Sequence, residues 1–339
     1  MRINLVAVQA RMELEDYASP ERFRQRMAGL MQGAVGAVDR SLPTLVVYPE
    51  AIGLYLSFVP FYYDLIKDCR SLTQAALRVI PRRFWRLLAL TLRHRAFGLA
   101  AAFLDTALEA ERWYRDAFSG LAREHGVHVL GGSIYVPFIE EEIGKGRYFL
   151  NNRVHNIAYL FAPNGLCLRR VAKVNLAPPT ETRVGFRGAG RLNLLPVDTE
   201  LGRIGIAICY DGFHHSLIEH YDGLGAQIIL QPSYNEHPWE APNEAHPNLR
   251  ESQVWLEHGL PALIQGRANI CYGVNPMMVG RVFDMEAEGC SSICRNTGLI
   301  GAPPDETIVA IAHDPRAEEI VAATVELEER RREPVALPA

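Results

Sequence analysis

The sequence predicts an α/β fold in which helices cover β-sheets, and three observations carry that prediction. Short apolar runs ending in polar residues or glycine recur at Thr44 to Glu50, Val127 to Ser133, Asn156 to Phe161, Arg203 to Cys209 and Ala226 to Ser233. Apolar residues at helical spacing fill the intervals, at Pro20 to Val38, Glu109 to His125, Ser216 to Leu224 and Pro247 to Leu260. No repeat or low-complexity tract interrupts this alternation. With 339 residues, 48% hydrophobic, 22% charged and a net charge of −4, the chain can bury a large core and gives no global reason to expect nucleic acid as a partner.

Taken in order, Ile3 to Gln9 alternates like a first strand, and the N-terminus is too short and too interrupted for a secretory signal, so a cytoplasmic protein is expected. The helix from Pro20 ends at Ser41-Leu42-Pro43, and the next strand delivers the carboxylate of Glu50. The segment from about 55 to 110 then departs from the pattern, with little strand signal and much helix, and reads as an inserted helical hairpin. Phe58, Tyr62, Leu65, Cys69, Leu72, Ala76 and Ile80 fall near helical spacing, Pro81 punctuates, and a second helix starts at Arg82. That second helix is amphipathic and basic: Arg82, Arg86 and Arg93 cluster on one side, Phe84, Trp85, Leu88 and Leu92 on the other. From Leu65 to Ala100 eight Lys or Arg face one acid, Asp68, a local charge of +7 in a chain of net −4. Such asymmetry suits an anionic bilayer surface, an acidic partner or a charged substrate; a solvated hairpin packed on a dimer mate accounts for it equally well. Its uncharged run Ala96 to Leu104 is far short of the roughly 20 residues a membrane span needs.

Three residues could carry chemistry. Cys209 closes the run Gly202 to Ile208, where Ile204, Ile206 and Ile208 alternate with small residues and Gly212 permits a sharp turn. A buried cysteine at a strand end is often inert packing, Glu50 alone reads as a loop glutamate, and Lys173 alone as an exposed strand lysine. Together they make sense: a thiol needs a base, and the tetrahedral species formed at an amide carbonyl needs a positive charge near its oxyanion. A serine hydrolase is disfavoured because Gly131-Gly132-Ser133 lacks the closing glycine of G-x-S-x-G. His214, His215, His220, His237 and His246 show no metal-ligand spacing, and the six cysteines (69, 167, 209, 271, 290, 294) show no CxxC, so no metal is expected and the thiols read as reduced.

These residues resemble the nitrilase, or carbon-nitrogen hydrolase, superfamily. The matching stretches are Val46-Val47-Tyr48-Pro49-Glu50, then Ala162-Pro163-Asn164-Gly165 leading to Lys173, then Cys209-Tyr210-Asp211. Val8-Gln9, Gly131-Gly132-Ser133, Asn156, Pro232-Ser233, Arg267-Ala268-Asn269 and Gly289 to Ile293 flank them in the same order, along nearly the whole chain apart from the insertion and the Arg-rich tail after Glu326. The resemblance implies a single carbon-nitrogen hydrolase domain over 1–339, an αββα sandwich commonly assembled as a homodimer or higher homo-oligomer, and C–N bond chemistry without a cofactor. Carried over by position, Cys209 is the nucleophile, Glu50 the general base and acid, Lys173 the stabiliser of the tetrahedral species, and the backbone N–H of Tyr210 an oxyanion donor. Glu181 is the best match to a second glutamate found in many members.

Departures bear on the substrate. Cys209-Tyr210-Asp211 looks like the amidase and carbamoylase side of the superfamily rather than true nitrilases, and Gly212-Phe213-His214-His215 stand where several carboxylate-recognising members carry an arginine. The expected reaction is hydrolysis of a small-molecule amide through an acyl-enzyme, with an N-acyltransferase or a catalytically silent binding protein as alternatives. Tyr55, Phe58, Phe61, Tyr234 and Asn235 are expected to line the substrate pocket, because the added helices start beside Glu50. Arg82, Arg83, Arg86 and Arg93 are expected to offer peripheral contact with an anionic membrane, where a hydrophobic or lipid-like amide would be met.

Overall fold

The computed structural model describes residues 1–94, 99–142, 146–177, 181 and 185–327. Arg95, the residues either side of Glu181 at 178–180 and 182–184, and the Arg-rich tail from 328 lie outside the described residues. The chain opens with β1 (Arg2–Glu13), α1 (Pro20–Gly36) and β2 (Thr44–Val47), and three helices follow: α2 (Val59–Ile66), α3 (Leu72–His94) and α4 (Leu99–His125). Strands β3 (His128–Val136), β4 (Ile139–Glu142), β5 (Gly146–Phe149), β6 (His155–Phe161), β7 (Cys167–Ala172), β8 (Val197–Thr199) and β9 (Gly202–Ile206) lead to α5 (His215–Gly223). Then come β10 (Ile228–Leu230), β11 (Ser233–Tyr234), β12 (Tyr272–Asn275), β13 (Met277–Val282), β14 (Met285–Ala287), β15 (Ser292–Arg295), β16 (Ile308–Ile311) and β17 (Glu319–Glu326).

Two sheets result. One runs β11-β13-β1-β2-β3-β6-β7, with β14 on β13 and β17 on β1; the other runs β16-β15-β12-β10-β9-β8. Strand alternation sorts β1 between two cores. Ile3, Leu5 and Ala7 pack with Leu45, Val47, Ile206 and Ile228 between the sheets, whereas Val6, Val8 and Ala10 pack with Phe23, Met27, Tyr114 and Phe118 under α1 and α4. Leu217, Ile218 and Tyr221 of α5 belong to the core of the second sheet. The layers are therefore helix, sheet, sheet, helix, and each fully buried Leu or Ile between the sheets contributes about 1.5–3 kcal/mol.

The catalytic candidates emerge from both sheets. Glu50 follows β2, Lys173 follows β7, and Cys209 follows β9. β9 ends at Ile206, short of the cysteine, and Cys209 opens a 3-10 turn (Cys209–Phe213) instead of closing the strand. The hydrogen bonds nevertheless run on, Ala207 donating to the Leu230 carbonyl and Cys209 to that of Pro232, both at 2.9 Å.

The segment expected to be a helical hairpin at 55–110 differs in three respects. Pro81 does not punctuate it, since α3 runs through the proline from Leu72 to His94. The single run expected from Phe58 to Ile80 is broken after Ile66, and the helix expected from Glu109 begins at Leu99, so α4 carries past 110 to His125 without a boundary. Pro247 to Leu260, expected as one helix, is a short turn Glu251–Gln253 that widens into a π turn Val254–His258, followed by a turn at Leu260–Leu263. Gly259 separates the last two turns, and a Cβ there would lie 2.4 Å from the Trp255 carbonyl oxygen.

Candidate active site

Glu50 is positioned by β3. Gly132 has φ +68°, and a Cβ there would sit 2.0 Å from the Pro49 carbonyl oxygen, so only glycine lets β3 approach the Pro49-Glu50 loop so closely. The next residue ties the loop down: Ser133 Oγ accepts the Ala51 N–H at 2.9 Å, and its carbonyl accepts that of Gly53 at 2.9 Å. Ala51 itself lies in left-handed backbone at φ +61°, a local strain held in place by these bonds. On the opposite sheet Cys209 is strained in the same sense, at φ +47°. Gln231 Nε2 donates to the Cys209 carbonyl at 2.8 Å, and Asn275 Nδ2 binds both the Gln231 carbonyl (2.6 Å) and Ser233 Oγ (2.7 Å). Gly212 makes room for this support, since a Cβ there would lie 2.2 Å from Gln231 Nε2.

The charged centre is a closed network. Lys173 Nζ, only 1% exposed, lies 2.8 Å from Glu50 Oε1 and 2.7 Å from Glu181 Oε2. Asn156 Nδ2 donates to Glu50 Oε1 (2.7 Å), the Tyr135 hydroxyl (3.0 Å) and Glu181 Oε1 (3.1 Å), while the Tyr135 hydroxyl donates to Glu181 Oε1 at 2.9 Å. The Ala177 N–H closes the ring on Glu181 Oε2 at 2.8 Å. Burial works against the Lys173 ammonium, but the acidic side chains around it, Glu50 first, outweigh that and hold its pKa well above the ordinary lysine value. Burial likewise opposes ionisation of Glu181, yet Lys173 and the hydrogen bonds it accepts leave its carboxyl below the usual range.

Glu50 goes the other way. Burial pushes its carboxyl up and Glu181 adds to the push, while Lys173 and the Cys209 thiol pull back without cancelling it. Burial and the nearby Glu50 also raise the Cys209 thiol well above its ordinary value. The resting site therefore holds an ammonium, one firmly ionised glutamate, one glutamate poised to carry a proton, and a neutral thiol.

The sequence matches the carbon-nitrogen hydrolase family over residues 7–332. The chain belongs to that family. Among curated relatives, a probable hydrolase of Bacillus subtilis, YhcX, is 30% identical over 178 residues, 52% of this chain and 30% of that protein. The omega-amidase NIT2 of Homo sapiens is 27% identical over 170 residues, 47% of this chain and 57% of that protein. The chain thus matches between about a third and three fifths of these relatives' lengths. A carbon-nitrogen hydrolase from Helicobacter pylori superposes with a TM-score of 0.61 at 18% identity, covering 96% of this chain and 90% of that one. An amidase from Nesterenkonia sp. does so at 0.56 and 16%, with 96% and 90% covered. The likeness to both establishes the nitrilase-type α/β fold.

A cavity of about 960 Å³ opens over this charged cluster. Glu50, Lys173, Glu181 and Cys209 lie in its wall, as do four of the five expected pocket residues, Tyr55, Phe58, Tyr234 and Asn235. Phe61 does not line it. It turns away to pack on Trp113, ring centroids 5.1 Å apart, a contact with α4 that helical spacing cannot reveal. The rest of the wall is mostly apolar, with Ala75, Ala76, Val79 and Leu87 from α3, Phe103 from α4 and Phe186.

Of the four α3 arginines expected to meet a membrane, Arg82 and Arg93 are exposed, and Arg86 pairs with Asp105. Arg83 is half-buried, its guanidinium 5.4 Å above the Tyr62 ring, because its position on the helix faces α2. Among the described residues no three His, Cys, Asp or Glu side chains converge as metal ligands, and no helix is long and apolar enough to cross a membrane.

Tyr135 and Asp211 carry more than the sequence reading gave them. A tyrosine in a strand reads as core, yet Tyr135 donates to Glu181. Asp211, read only as part of the cysteine motif, is fully buried and accepts three N–H groups from Val174 and Asn175.

Proposed function

We propose that the protein hydrolyses the C–N bond of an amide bearing a long apolar acyl group, through an acyl-cysteine on Cys209, and that it meets this amide at a membrane surface. The carboxylate of Glu50 takes the thiol proton as Sγ attacks the carbonyl carbon. Lys173 Nζ faces the oxyanion, and the Tyr210 N–H, at the start of the 3-10 turn, adds a donor. Collapse breaks the C–N bond, and the carboxylic acid of Glu50 gives its proton to the departing amine. Water then enters, Glu50 takes one of its protons, and hydroxide attacks the thioester. The acid leaves and the thiol is restored, so the proton count closes. Glu181 has a different part: held ionised by Lys173, it balances the ammonium and leaves Glu50 free to change state.

The observation that carries this reading is the Glu50–Lys173–Glu181 cluster beside Cys209 at the wall of a largely apolar cavity of about 960 Å³, at the upper end of small-molecule sites. A small polar amide would leave most of that apolar wall against water. Intact mass spectrometry after mixing with a graded series of N-acyl amides tests it. The expected result is an acyl adduct on Cys209 that decays in water, strongest for long chains and absent in Cys209→Ala. Capture of the acyl group by an added amine in preference to water would turn the reading to an acyltransferase. No adduct from any chain length, with the thiol reduced, would overturn it in favour of a binding protein.

A further inference from the structure

Helix α3 has two apolar faces. Ala75, Ala76, Val79 and Leu87 line the cavity, while Leu77, Phe84, Trp85, Leu88 and Leu92 form a second stripe at helical spacing on the outside. That outer stripe is open: Trp85 is 78% exposed, Leu92 73% and Leu77 69%. So much aligned apolar surface calls for a partner.

Charge selects the partner. Between Leu72 and Arg93 the helix carries five arginines and no acid. Arg78, Arg82, Arg86 and Arg93 run along one flank of the stripe, and among the described residues neither Arg82 nor Arg93 has a carboxylate partner. A second copy laid on the stripe would set this basic flank against itself. An anionic lipid surface accepts the apolar stripe and the arginines together, and an exposed tryptophan suits the headgroup boundary.

We infer that the outer face of α3 is a lipid-docking surface, which lies in the plane of an anionic bilayer so that the cavity opens to the lipid beside Ile80. Ile80 joins the two faces, for it lines the cavity and is also 43% exposed. An acyl chain leaving the bilayer there passes from one apolar surface to another without crossing water. The docking stands on the helix alone; what the cavity receives from it rests on the function proposed above.

Flotation with phosphatidylglycerol and with phosphatidylcholine vesicles tests it, using the full chain and Cys209→Ala so that turnover plays no part. Both proteins are expected to float with phosphatidylglycerol, to be released by salt, and to ignore phosphatidylcholine. Arg82→Glu with Arg93→Glu should weaken the partition about 30-fold or more, and Trp85→Asp with Leu92→Asp should abolish it. Neither pair lines the cavity, so hydrolysis of a short soluble amide should be unchanged, and that activity also reports folding. Failure of the wild type to float, or equal flotation of every variant, would overturn the inference. So would conversion of an oligomer to a monomer by Trp85→Asp with Leu92→Asp without vesicle binding, which would assign the stripe to a second copy. Flotation without hydrolysis of any amide would instead leave the docking standing and remove the amidase reading.

Discussion

Asp211 Oδ1 accepts both the backbone and the side-chain N–H of Asn175, at 2.7 and 2.8 Å, while its Oδ2 accepts the Val174 N–H at 2.9 Å. One buried carboxylate thereby fastens the turn of Cys209, which follows a strand of one sheet, to the chain just past Lys173, which follows a strand of the other. Ordinary burial would raise the Asp211 carboxyl, and it does, even against the N–H groups it accepts from Val174 and Asn175.

Removing this tie is expected to cost rate and stability together. Asp211→Ala leaves buried N–H groups without an acceptor, at about 1–3 kcal/mol each, and should lower Tm in a thermal melt. Asp211→Asn keeps one acceptor and should recover part of both losses. In steady-state kinetics the drop should fall on kcat with KM little changed, because Asp211 positions the catalytic pair without lining the cavity.

The raised Glu50 carboxyl sets the acid limb of the pH profile. Glu50 must be ionised to accept the thiol proton, so kcat/KM should fall as pH drops through its raised pKa, with a midpoint above the ordinary glutamate range. Glu50→Gln should remove nearly all activity. The stability effect has the opposite sense. A carboxyl whose pKa is higher folded than unfolded favours the fold at low pH and loses that contribution as pH rises through the folded value. Denaturant melts across pH should find that dependence in the wild type and find it flattened in Glu50→Gln.

Cavity length should be adjustable from the inner face of α3. Ala76→Phe adds a ring to the part of the cavity wall that α3 supplies. Turnover of long-chain amides should drop by about tenfold or more, in line with pocket discrimination of a few methylenes, while short amides keep theirs. Competition between two chain lengths in one reaction reads this directly.

Much of this was legible because it is local in the sequence. The apolar runs before Glu50 and Cys209 mark where these two residues leave the sheets, and β1 reads as a strand, although the alternation of Ile3 to Gln9 does not tell that both of its faces are buried. What escaped depends on contacts between distant segments or on backbone angles. Phe61 sits at the right helical spacing for the pocket, yet Trp113 claims its ring, and Tyr62 draws Arg83 inward in the same way. Pro81 reads as a helix stop, but the carbonyl it leaves without an N–H partner is that of Leu77, on the exposed side of the helix, and the helix continues. The positive φ of Ala51 and Cys209 has no sequence signal, since neither residue is a glycine.

Because Glu50 and Lys173 ride on one sheet and Cys209 on the other, the packing between the sheets is, under the proposed reaction, also a measuring device. Leu45, Val47, Ile206 and Ile228 do not line the cavity, yet they pack between the two sheets that carry these groups. A cavity or a bulge introduced among them could leave a folded protein whose halves sit slightly out of step. In such a protein the loss of rate would come from deep in the interior, far from anything a substrate touches, and a search confined to the pocket walls would miss its cause.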